Sequence, residues 1–216
     1  MAEATVDARQ WVQGSGYEEA LRSYNDWVFG PNPVYRQGDR YLFIHGNINS
    51  AAVRHEIATV STNTILVVHV VGVNFIIGDT DTQNNQLGDE QKVSQACQYS
   101  AQNEDKKVFV RIKVKEEPTA EQTEPIDEQT DLASWTDLTD LVREVSYPPS
   151  KFIADPNNPD LNKWDNPMPP GEHTGAWASK LLLLKIPQKG IVFELRSHGT
   201  GIPPYQQQTH FEIKVE

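Results

Sequence analysis
Among 216 residues there is a single cysteine, Cys97, which excludes an internal disulfide and any multi-cysteine zinc centre. Three roles remain for it: a thiol ligand, a reactive nucleophile or a small buried hydrophobe, the last being the commonest. Basic residues are also scarce. The 19 Lys and Arg stand against 30 Asp and Glu, a formal charge of −11. Such a chain repels DNA and RNA phosphates, so no nucleic-acid partner is expected. No apolar run approaches the ~20 residues of a membrane helix. The longest runs, at 65–73 and 180–186, carry His69, Gly72 and Lys185 in or beside them, and no membrane span is expected. Met1-Ala2-Glu3-Ala4-Thr5 lacks a basic segment leading into an apolar one. The chain therefore reads as soluble and cytoplasmic as written, or secreted or periplasmic if a leader has been trimmed. Also missing are a Gly-x-Ser-x-Gly elbow, a phosphate loop, a His-Glu-x-x-His pair and a dinucleotide fingerprint, the commonest motif routes to an enzyme.

What is present is β-rich. A chain of this size buries roughly 70% of its unfolded surface without disulfides or metals, and one domain over 1–216 is the expectation. Ser15-Gly16-Tyr17-Glu18 has the form of a capping box. Tyr17, Ala20, Leu21, Tyr24 and Val28 follow at helical spacing until Gly30-Pro31-Asn32-Pro33, which predicts a helical segment within 1–34 packed on the body. Residues 40–45, 54–59 and 64–77 are β-branched and aromatic with turn residues between them, the pattern of adjacent antiparallel strands. The third is apolar on both parities, so it should be central and covered on both faces. Residues 89–102 read as a helix, and Val108, Val110, Ile112 and Val114 alternate with polar neighbours as in a half-buried strand. Residues 116–131 are Glu-, Thr-, Gln- and Pro-rich, the composition of a mobile acidic loop. A short helix is expected from Ser134 to Val145, ended by Tyr147-Pro148-Pro149, and a long loop over 155–171. Residues 180–187, 190–197 and 209–215 read as closing strands, the first two joined by a turn of hairpin length at 187–190. The expected fold is all-β: an antiparallel β-sandwich of jelly-roll or immunoglobulin-like type with two or three peripheral helices.

The closing order is Gly171-Glu172-His173, Trp177, Leu181 to Leu184, a Pro187-to-Gly190 turn, Ile191-Val192-Phe193, then Phe211 to Val215. Together with Tyr41 to Gly46, Arg54, Thr59-Val60 and Ser150-Lys151-Phe152, it resembles a group of uncharacterised, mostly exported bacterial β-sandwich proteins. The resemblance spans about 35–216. It implies a sandwich fold and carries no activity or site residues. Where the group often has a cysteine after the residue matching Arg54, this chain has His55.

Several constellations could carry chemistry. Asp79, Asp81, Gln83 and Glu90 place oxygen ligands at calcium-loop spacing, with Asn84 where such loops need glycine. The competing reading is a turn whose Asp and Asn side chains cap their own backbone. A second oxygen-rich stretch holds Asp155, Asn157, Asn158, Asp160, Asn162 and Asp165, stiffened by prolines. With Trp164, His173, Trp177 and Tyr205 beside it, residues 155–177 form an expected ligand surface for carbohydrate, or for a protein partner. The alternative is that the indoles pin the loop to the sheet. His45, His55 and His69 fall on early strands, where imidazoles could meet a metal or sit hydrogen-bonded in the core. The resulting expectation is a non-catalytic binding or interaction module using 155–177, without a cofactor unless calcium. The alternative is a hydrolase working through carboxylates and histidines such as Asp79, Asp81, His173 and His198. A structural protein with no small ligand is a third class.

Overall fold
The computed structural model describes residues 4–30, 39–45, 54–81, 83–102, 107–115, 135–158, 161, 168–188, 190–200 and 207–216. Its strands are β1 (Ala4–Val6), β2 (Tyr41–Ile44), β3 (Arg54–Val60), β4 (Ile65–Ile76), β5 (Lys107–Lys115), β6 (Thr136–Asp137), β7 (Arg143–Ala154), β8 (Gly171–Lys185), β9 (Val192–Thr200) and β10 (Gln207–Val215). Among the described residues two helices accompany them, α1 (Tyr17–Phe29) and α2 (Glu90–Gln102). Among the described residues no helix is long and apolar enough to cross a membrane. The acidic stretch 116–131 lies outside the described residues.

The strands form two sheets, one ordered β1-β5-β9-β10-β3 with β6 also paired to β5, the other β2-β4-β8-β7. Both are mixed. β10 runs parallel to β3 and β2 parallel to β4, while the remaining pairs are antiparallel. The expected antiparallel run of β2, β3 and β4 is thus corrected: β3 leaves for the opposite sheet. The turn at 187–190 likewise carries the chain from one sheet to the other and joins no hairpin. Local alternation marks a strand and its buried face but says little about which strand it will pair with.

Between the sheets lies an apolar core. Leu42, Ile44, Leu66, Val68, Leu182 and Leu184 meet Val108, Val110, Ile112, Phe193, Leu195, Phe211 and Ile213 across it. Trp11, on the 3-10 turn Ala8–Trp11, inserts its ring edge-on to Phe193 at 5.0 Å, so the N-terminal segment plugs one end. β4 is central as its double parity predicts, flanked by β2 and β8.

The outer face of the β2-β4-β8-β7 sheet is covered by α1. Its Tyr17, Leu21, Tyr24, Val28 and Phe29 pack on Phe43, Val67, Tyr147, Trp177 and Leu183. α1 lacks the expected capping box. Gly16 is its N-cap in the left-handed region (φ 88°) with no side-chain cap bond. On β8, Ala176 and Ala178 share the parity of Leu182 and Leu184, yet they pack on Val93, Cys97 and Ala101 of α2. α2 therefore takes over the inner face where the opposite sheet's cover runs out.

Two further expectations are corrected. The segment before Pro148-Pro149 is strand β7, with only a 3-10 turn at Thr139–Leu141 ahead of it. β7 is an edge strand with a register shift between Tyr147 and Ser150, where the missing proline N–H costs no ladder bond. Residues 171–177, expected as part of the 155–177 ligand surface, are the first half of the 15-residue strand β8.

Candidate functional site
The turn between β4 and α2 is built by its own side chains. Asp81 Oδ1 accepts the backbone N–H groups of Gln83 at 2.9 Å and Asn85 at 2.8 Å, and Oδ2 accepts Asn85 Nδ2 at 3.1 Å. Asp79 Oδ2 accepts the Ile76 N–H at 2.9 Å. Asn84 adopts a left-handed φ of 64°, a conformation Asn tolerates where most residues do not. A bridge between Thr80 and Gln86 closes the loop, and buried Leu87 anchors it against α2. Asp89 then caps α2 by accepting the Lys92 N–H at 2.9 Å. The Asp79 and Asp81 carboxylates thus bond the turn's own backbone and, for Asp81, the Asn85 carboxamide, and Glu90 stands exposed at the first position of α2. Among the described residues no group of three or more His, Cys, Asp and Glu is placed to hold a metal ion.

The hydrogen bonds from Asn85, first its backbone and then its side chain, hold the Asp81 carboxyl below the usual aspartate range. A carboxylate lowered on folding supports the turn above the ordinary value and releases it as pH falls through the lowered one. In an NMR titration the Gln83 and Asn85 amides should therefore shift together, with one midpoint below 3.8. Separate midpoints, or one at the ordinary value, would refute this account of the turn.

Between this turn and α2 lies a groove of about 740 Å³, floored by Leu87 and Ala96 and walled by Gln83, Asn84, Asn85, Gln95 and Tyr99. Tyr99 is 52% exposed. Asn85 Nδ2 and Gln86 Nε2 are used by the turn, the latter on the Gly78 carbonyl. No hydrogen bond among the described residues engages the carboxamides of Gln83, Asn84 or Gln95, which keep their donors and acceptors for a ligand. The sequence does contain the signal for this groove. Val93, Cys97 and Ala101 set the buried phase of α2, while Lys92, Gln95 and Tyr99 fall on the opposite face, so Tyr99 is an aromatic out of phase with the core.

The residues singled out in 155–177 are not brought together. Trp177 is 1% exposed and belongs to the core beneath α1, its indole N–H donating to Ser179 Oγ at 2.6 Å, which corrects its expected place on a ligand surface. His173 is half-buried on β8, its Nε2 held 2.6 Å from the Pro169 carbonyl. Asp160, Trp164 and Tyr205 lie outside the described residues. The described part of the loop is tied down: Asp155 caps the Asn157 N–H, and buried Asn158 donates through Nδ2 to the Val28 carbonyl at 2.7 Å. Of the hydrolase set, Asp79 and Asp81 serve the turn, His173 lies on β8 and His198 lies on β9 in the opposite sheet, and among the described residues no hydrogen bond joins His173 to another member.

His45 and His69 are core residues. His69 stacks on Tyr24 at 4.3 Å, with Nε2 3.4 Å from Ser179 Oγ, and Gly72 is required beside it because a Cβ there would lie 2.6 Å from that nitrogen. His45 sits edge-on to Trp27 at 4.9 Å and is bonded to Arg54, which also pairs with Glu56.

No family model, no curated protein and no solved structure matches this chain.

Proposed function
We propose that the chain is a non-catalytic binding module for an uncharged, hydroxyl-rich ligand of the carbohydrate class, seated in the groove between residues 81–87 and α2. The observation that carries this is the half-exposed Tyr99 ring set beside the carboxamides of Gln83, Asn84 and Gln95. An aromatic face covers the apolar face of a sugar ring. A carboxamide donates and accepts at once, which matches the dual character of a hydroxyl. The groove volume falls within the range of about 300–1,000 Å³ usual for small-ligand pockets. The non-catalytic reading rests on composition: the groove's carboxylate, Asp81, is already bonded to the turn.

Glycan-array screening followed by calorimetry on the best binder tests this. Tyr99→Ala and Gln95→Ala should each weaken binding about tenfold or more, the loss expected at the centre of a small interface. Trp164→Ala should leave it unchanged. Loss of binding in Trp164→Ala with full retention in Tyr99→Ala would move the ligand to 155–177 and overturn the assignment.

A further inference from the structure
The two sheets end on the edge strands β1, β3, β2 and β7, and all but β3 are blunted. β1 has three residues, β2 has four, and β7 carries Pro148-Pro149 at its register shift. β3 has seven residues and no proline, and its Ile57 is 65% exposed. Among the described residues β10 is its one partner strand, and no other backbone hydrogen bond reaches its far side. A long edge left in this state is a template for a further strand.

The ladder with β10 fixes which backbone groups are open. The Val60 carbonyl accepts the Glu216 N–H at 2.9 Å, so Val60 turns its polar groups toward β10. Backbone direction alternates along a strand together with side-chain face, and the β3 register runs without a shift. Arg54, Glu56 and Ala58 therefore bond toward β10 as Val60 does, on the side-chain parity that buries Ala58 and Val60 in the core. His55, Ile57 and Thr59 turn their N–H and C=O groups to the open edge. A two-fold axis through Ile57 matches these groups to a second β3 in antiparallel order. Ile57 exchanges both N–H···O bonds with the partner's Ile57, and His55 does the same with the partner's Thr59. On the core parity Arg54 falls opposite the partner's Val60, and Glu56 opposite the partner's Ala58. Charge supports this register. β3 holds one cation and one carboxylate, Arg54 and Glu56, already bonded to each other, a neutral edge on a chain of charge −11. An axis at Glu56 would set two carboxylates face to face, and one at Ala58 would leave His55 with no strand residue opposite.

We propose that two copies of this chain associate through β3, antiparallel about a two-fold axis at Ile57, so that their β1-β5-β9-β10-β3 sheets become one. The paired isoleucines cover each other on the outer face, and main-chain bonds supply the rest of the contact. Seven residues a side is well short of the roughly 20–30 of a standard interface, so the dimer is weak, with a Kd of about 0.1 mM. The groove by α2 lies on the other sheet and contributes no residue to it.

Sedimentation velocity on the full chain, from about 10 µM to about 1 mM, should show the mass rising from one chain toward two. Ile57→Lys, which sets two like charges together at the axis, should raise the Kd about tenfold or more. Ile153→Lys, at a 68% exposed position of β7, should leave it unchanged. Both side chains face solvent, so melting temperatures close to the parent's should show that the fold is kept. A second arm reads the register directly. Residues exchanging both bonds across an antiparallel pair have Cα atoms about 5.5 Å apart, within disulfide reach. Ile57→Cys should therefore give a disulfide-linked dimer when diamide takes up the two thiols' protons and electrons. Thr59→Cys should not, because it stands four residues, roughly 13 Å, from its copy along the strand. Buried Cys97 does not compete. A parent that stays monomeric to about 1 mM overturns the proposal. So does association that survives in folded Ile57→Lys, or cross-linking of Thr59→Cys that matches that of Ile57→Cys.

Discussion

Trp177→Ala should destabilise the chain by about 3–5 kcal/mol, the range for emptying a large aromatic from a packed core. Trp177 is among the largest fully buried side chains, at 1% exposure. Its ring meets Phe29 edge-on at 5.4 Å and Tyr24 at 5.8 Å, so this indole joins Leu181 and Leu183 in holding α1 against β8. Truncation would leave a cavity on that face and would strand Ser179 Oγ, which now accepts the indole N–H and lies within reach of His69. The check is a urea unfolding curve followed by tryptophan fluorescence and circular dichroism. The midpoint should fall sharply, and Trp177→Phe should recover much of the packing but not the hydrogen bond. A cost below about 1 kcal/mol, the level of an ordinary surface change, would remove Trp177 from the core.

The second large effect concerns the lone thiol. Cys97 is 1% exposed, and its Sγ–H donates to the Ala176 carbonyl at 3.1 Å. Burial pushes the thiol from an ordinary 9.0 up to about 12. Since the thiolate is the reacting species, three pH units lower its population about a thousandfold near neutrality, before access is counted. A disulfide reagent at pH 8 should therefore modify the unfolded protein within minutes and the folded protein at least a thousandfold more slowly. Prompt labelling of folded protein would contradict this environment.

The same burial sets a pH limit. An acid whose pKa rises on folding stabilises the fold below the unfolded value and loses that contribution as pH climbs toward the folded one. For Cys97 the loss runs from about 9 to about 12. Tyr24 and Tyr147, both raised above the usual tyrosine range chiefly by desolvation, add losses of the same sign above their ordinary 10.0. Melting temperature should thus hold from neutral pH to about 9 and drop steeply beyond it. Cys97→Ala should soften only the first part of that drop.

Much of the fold is legible in the chain, and the illegible parts share a cause. Helix α1 and strands β2 to β5, β9 and β10 fall where periodicity puts them, because each buries one face and the burial writes itself into i+2 or i+3/i+4 spacing. Compositional rules failed at β7 and at the start of β8. Pro148 and Pro149 are tolerated on an edge with shifted register, and Gly171 to Thr174 hold no apolar run although they lie in a long ladder. Strand partners are not legible because pairing depends on residues far apart in sequence. Chemistry was harder still. Trp177 looks the same on paper as a ring that greets a ligand, and only the packing of Phe29 and Tyr24 on it decides. Tyr99 is inconspicuous among helix formers, although its position opposite Val93 and Cys97 on the helix wheel distinguishes it.

The position of β10 has a kinetic consequence. It lies between β9 and β3, so β3, spanning 54–60, finds its ladder partner only at 209–215. During synthesis β3 must wait through more than two-thirds of the chain with its edge groups unsatisfied. Such long-range parallel closure slows folding and prolongs exposure of an unpaired strand to other chains. For this protein the time spent before β10 arrives, more than final stability, should set how much of it aggregates.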